Sequence, residues 1–175
     1  IDYGTAWQNA GLSALARQTV GAGFNQDQTL DLSRVEQYLL YAEEVSLNHW
    51  PDTPAPYHHG MQFLFTQYLF DRCGGYNAIK MLERGTNLKR GLVDVEQTLL
   101  PLSSPTTAGL NEFFNDFCLA LYCDDLNLPS GFANYVATRH QFSGLKLRGR
   151  NTGIRGLRGI GLNENPTSTR IMSMK

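Results

Sequence analysis

The sequence predicts a mainly α-helical domain, and two observations carry that prediction. Apolar residues recur at three- and four-residue spacing over long stretches. Met61, Leu64, Phe65, Tyr68 and Leu69 form one such stripe, and Leu110, Phe113, Phe114, Phe117 and Leu121 form another. Helix start and stop signals bracket these stretches, among them Ser33 with Glu36, Gly21, and the pair Gly74-Gly75.

The elements follow in order. Trp7 to about Thr19 is rich in the helix formers Ala10, Leu12, Ala14, Leu15 and Ala16, with Gly21 as its stop. Asn25-Gln26-Asp27-Gln28 reads as a polar loop. Ser33 and Glu36 make a capping box for a second helix from about Arg34 to Glu44, with Val35, Tyr38, Leu39 and Ala42 at helical spacing. Pro51, Pro54 and Pro56 separate it from a third helix, His58 to Arg72, which Phe63 and Phe70 make apolar enough to be central. Shorter helices are expected at Ala78 to Arg84, capped by Gly85, and at Val93 to Leu100 before Pro101. The last runs from Leu110 to about Tyr122, and its aromatic stripe reads as core packing. Around Phe142, Leu145 and Leu147 an approximate alternation is compatible with a short strand.

At 175 residues the chain suits one domain with a real core. No apolar run approaches the roughly 18 residues of a membrane span. A signal-peptide-like start is absent, and the Met-less opening at Ile1 reads as mature, processed or truncated. The net charge of −1 is unevenly spread: residues 1–138 carry −8 and residues 139–175 carry +7, with Glu164 the sole acid of the latter. A basic Gly/Arg-rich extension, 139–175, thus follows a helical lobe, 1–138. A tail lying against its own acidic body is favoured over an anionic partner. Gly153 to Leu162 spaces glycines mostly three apart but lacks the Gly-Lys-Ser/Thr of a phosphate loop, and no aromatic residue is interleaved for base stacking. Nucleic acid is therefore not the expected partner. Cys73, Cys118 and Cys123 fit neither a disulfide framework nor a zinc knuckle. A bridge between Cys118 and Cys123 is excluded while the helix between them is continuous, because roughly 8–9 Å would separate their Cα atoms.

One motif points further. Trp7-Gln8-Asn9-Ala10-Gly11-Leu12-Ser13-Ala14, leading to Gly21-Ala22-Gly23-Phe24, resembles the third-ligand helix of gluzincin metallopeptidases, particularly the hyicolysin-type family. Further matching pieces run in the same order: Arg34 to Leu39, Ser46 to Trp50, Tyr57-His58-His59-Gly60, and Phe65 to Arg72. The resemblance covers about residues 5–125. It implies the helical lobe that follows a gluzincin active-site helix, here with a short irregular or β-containing C-terminal extension. In that family a Glu of the first motif binds the catalytic zinc; the matching position here is Ala10, which has no ligand atom.

A zinc peptidase of this kind also needs His-Glu-x-x-His on one helix, with the Glu as general base. The four histidines are His49, His58, His59 and His140, none four residues from another, and none is followed by Glu. No cofactor or metal is implied. Glu36 loosely imitates a ligand but is explained by its capping box, and Glu43 and Glu44 read as a solvated helix end. Tyr57, His58 and His59 are the candidate pocket remnant, since gluzincins commonly place a His or Tyr downstream to steady the tetrahedral intermediate. The competing reading is a helix N-terminal turn with polar caps.

The expected function is a non-catalytic, pseudopeptidase-like domain of a secreted or cell-envelope bacterial protein, acting in binding or assembly. The alternatives are the downstream part of an active zinc metallopeptidase whose His-Glu-x-x-His precedes residue 1, and an unrelated helical scaffold. The resemblance also implies that the Trp7, Ala10 and Ala14 side of the first helix needs a cover: an upstream segment, another subunit or the basic tail.

Overall fold

A computed structural model describes residues 3–23, 30–47, 49–84, 91–104 and 106–125, with positions 142, 145 and 147. The described chain is mainly helical, and no strand occurs among the described residues. The polar loop at 25–28, the Gly85 cap and the glycine-spaced stretch 153–162 lie outside them.

Helix α1 spans Tyr3–Thr19 and stops where the glycine signal placed its end. Gly21 takes φ +79°. Its N–H bonds the Gln18 carbonyl at 3.1 Å and the Ala22 N–H bonds that of Arg17 at 2.9 Å, so two orphan carbonyls of the last turn are satisfied. Helix α2 spans Leu30–Leu40, followed by a 3₁₀ turn at Ala42–Glu44. This corrects the capping-box reading of Ser33 and Glu36. Ser33 lies inside the helix, where its hydroxyl accepts only a long 3.5 Å bond from Gln37 Nε2. The start is moved forward by Asp31, which is buried in the first turn and held by an arginine of α1. Glu44 is exposed, as a solvated helix end requires.

Helix α3 spans Pro56–Arg72 and is the axis of the molecule. Every residue from Gly60 to Leu69 is buried, so the helix is enclosed on all sides and not merely along a stripe. α1 and α2 both make their main interfaces with it. Two glycines set those distances. A Cβ on Gly11 of α1 would lie 2.0 Å from Thr66 Oγ1, and one on Gly60 of α3 would lie 2.1 Å from the Arg34 carbonyl oxygen of α2. Neither neighbour leaves room for a side chain.

Helix α4 spans Tyr76–Arg84 and buries Ala78 and Leu82. The single helix expected at Val93 to Leu100 is instead a composite. A short α turn, α5 at Leu92–Asp94, runs into a π turn at Val95–Leu99 and then a 3₁₀ turn at Leu100–Leu102. The Leu100 N–H reaches back five residues to the Val95 carbonyl, which turns Val95, Leu99 and Leu100 all inward. Pro101 is accommodated in the first turn of the 3₁₀ segment, where its missing N–H leaves nothing unpaired.

Helix α6 spans Leu110–Asp125, somewhat longer than its pattern predicts. Its stripe does pack the core. Phe65 of α3 meets Phe113, Phe114 and Phe117 at centroid distances of 6.1, 6.3 and 5.3 Å. Tyr68 meets Phe113 at 5.0 Å and Phe142 at 5.8 Å. Phe142, Leu145 and Leu147 are all buried in this core, and none of the three is in a strand. Cys73 and Cys118 are free thiols, and α6 runs unbroken through 118 and 123. A separation of roughly 8–9 Å over five helical residues exceeds the roughly 7 Å limit of a disulfide.

Candidate functional site

The corner where α1, α2 and the start of α3 meet gathers most of the chemistry-bearing side chains. Pro56 occupies the first position of α3, where its fixed φ favours the helix. Tyr57, His58 and His59 form the turn behind it. Ala55, just before the helix, has no side chain able to cap, and His58 supplies the missing group. Its Nδ1 accepts the Ala55 N–H at 3.1 Å, while the His58 N–H bonds the Ala55 carbonyl at 3.0 Å. Trp50, from the loop between α2 and α3, lies edge-on to both imidazoles, 6.3 Å from His58 and 5.2 Å from His59. Tyr57 stacks on His58 at 4.6 Å and on Tyr41 at 5.7 Å. The polar-cap reading of this turn therefore holds for His58.

His59 shares Trp50 with His58 and also feels a set of charged groups. Consecutive helical residues diverge by about 100°, so the two imidazoles do not converge on one point. One of those charged groups is Asp31, 3% exposed, whose charge acts on His59. Its carboxylate takes Nε of Arg17 at 2.7 Å and Nη2 at 2.6 Å, a bidentate pair, and Arg34 Nη1 lies 3.6 Å from the Oδ1 that takes Nη2. The hydrogen bond to Asp31 holds the Arg17 guanidinium above its ordinary value. Burial pushes His59 below its ordinary value, and Arg34, His58 and Arg17 push the same way against the opposing pull of Asp31. Burial also lowers His58, and His49 adds to it. Both histidines are thus held toward the neutral form.

Ala10 is half-buried on α1. Trp7 and Ala14, one turn to either side, are buried, and Trp7 packs edge-on against Phe65 at 6.0 Å. The cover expected over Trp7, Ala10 and Ala14 comes from within the chain for Trp7 and Ala14, Trp7 against Phe65 of α3, while Ala10 stays half-exposed. Arg17, two turns beyond Ala10, carries the same face of α1 into the corner with His59. No group of three or more His, Cys, Asp or Glu is arranged to hold a metal ion among the described residues.

No family model, curated protein or solved structure matches the chain.

The side of α1 that does remain open is a different one. A cleft of about 580 Å³ lies between α1 and α4, lined by Leu12, Leu15, Val20, Phe70, Tyr76 and Ile79. Val20 and Tyr76 stand exposed at its edge. Sequence reasoning missed it because its walls come from three helices. The Arg17–Asp31 pair was missed for a related reason: fourteen residues and a helix boundary separate its members, and no local spacing signals it. Burial pushes Cys73 up to about 12 and Cys118 up to about 11, so neither is a nucleophile at neutral pH.

Proposed function

We propose that the chain is a non-catalytic, pseudopeptidase-like domain of a secreted or cell-envelope bacterial protein, acting in binding or assembly. The observation that carries this reading is the state of Ala10. At the position where the resemblance calls for a zinc-binding Glu, α1 offers a methyl group, flanked by side chains packed onto α3. The polar groups of the neighbouring corner are engaged with one another. Asp31 is held by two guanidiniums and His58 by the N-terminus of its own helix. The apolar cleft between α1 and α4 supplies a surface of the kind that a binding or assembly role uses.

Elemental analysis after exhaustive dialysis, run beside a casein-type cleavage assay, tests the reading. No stoichiometric zinc and no cleavage are expected. One tightly held zinc per chain, or cleavage that a chelator abolishes, would overturn it.

A further inference from the structure

We infer that the corner of α1, α2 and α3 is an acid-sensitive latch: protonation of His58 and His59 frees the first turn of α3 and the loop carrying Trp50. The inference stands on the direction of hydrogen bonds and the placement of charges, and it does not depend on the pseudopeptidase reading.

Begin with His58. Its Nδ1 accepts the Ala55 N–H at 3.1 Å, which requires a lone pair there. The neutral imidazole protonated at Nε2 has one; the imidazolium has a proton at both nitrogens and none. Protonation therefore removes the acceptor that His58 offers to the start of α3, and neither Ala55 nor Pro56 has a side chain that can replace it. It also places a cation near the positive end of a seventeen-residue helix.

His59 adds a second charge in the same turn. The charged groups that act on it are Arg34 and Asp31 from α2, Arg17 from α1, and His58 of its own helix. His49, from the loop, acts on His58. Asp31 is already shared between two guanidiniums, so the surroundings of His59 carry a net positive charge before it takes a proton. Tyr41 and Tyr57 stack nearby. Trp50 touches both imidazoles and leaves with them.

The sign follows from the lowered folded-state values of both histidines. A group that binds its proton less tightly in the closed form favours that form above the ordinary histidine value of about 6.5. As pH falls below that value, each imidazole shifts the balance toward the open form by up to about tenfold per pH unit, until the closed form protonates too.

Trp7 and Trp50 are the two tryptophans, so a Trp7→Phe chain leaves Trp50 as sole reporter. Its emission is expected to shift to the red between pH 7.5 and 5.0, with a midpoint below 6.5. His58→Glu keeps an acceptor at the third helical position that stays ionised at pH 5, and His59→Gln removes the second cation. The shift is expected to vanish in the double variant. A shift that persists there, or no shift in the parent chain, would overturn the inference. Proton NMR titration of the unaltered chain is independent of whether the variants fold: His58 and His59 titrating at or above 6.5 would equally refute it.

Discussion

The two halves of α3 follow different rules. From Gly60 to Leu69 the helix is sealed on every side, and its neighbours are aromatic rings and helix backbones. From Pro56 to His59 it is part-exposed, and its neighbours are a carboxylate, two guanidiniums and a tryptophan. In the first half the limiting quantity is volume. In the second it is charge and hydrogen-bond direction. One helix is therefore sensitive to size at one end and to protons at the other.

That contrast can be broken most forcefully in the sealed half. Phe65→Ala removes a fully buried ring that meets Trp7, Phe113, Phe114 and Phe117. It should cost about 3–5 kcal/mol by urea denaturation. A loss under about 1 kcal/mol would mean that volume is not limiting there.

The glycine contacts sharpen it at smaller scale. Gly60→Ala drives a methyl against the Arg34 carbonyl, which is backbone, whereas Gly11→Ala meets the Thr66 hydroxyl first and the Gln62 carbonyl at 2.8 Å second. Both should destabilise by about 1–3 kcal/mol, Gly60→Ala the more. Adding Thr66→Ala should recover part of the loss at Gly11 and none at Gly60, a difference read directly from the denaturation midpoints.

The smallest effect tests whether polarity matters inside the sealed half. Gln62 is wholly buried, and neither its Oε1 nor its Nε2 has a hydrogen-bond partner among the described residues. Gln62→Leu should be neutral or stabilising within about 1 kcal/mol. A clear loss of stability would show that the amide is bonded to a buried water.

The sealed half was legible in the sequence. Met61, Leu64, Phe65, Tyr68 and Leu69 announce a helix, and Phe63 and Phe70 announce that more than one face is covered; Phe63 is indeed buried, and Phe70 is partly so. Gly21 was legible too, because a left-handed stop needs no partner beyond the helix it ends. What escaped was whatever long-range partners decide. Ser33 and Glu36 have the right spacing for a cap, yet the helix begins earlier because Asp31 finds Arg17 on another helix. The π turn after Asp94 escaped because Val95, Leu99 and Leu100 must all reach the core, and α-helical spacing does not present all three. At the corner, Tyr57, His58 and His59 were visible as chemistry, but not that Trp50 and Arg34 would surround them.

Because α1 and α2 lean chiefly on α3, the order in which the chain is made matters. A ribosome delivers the N-terminus first, so Trp7, Leu15, Val35 and Leu39 emerge before the helix that shelters them. Until Arg72 has cleared the exit tunnel, the newborn chain carries two helices with their inner sides bare. The interval of greatest stickiness opens as α1 and α2 emerge, and it ends when α3 follows them.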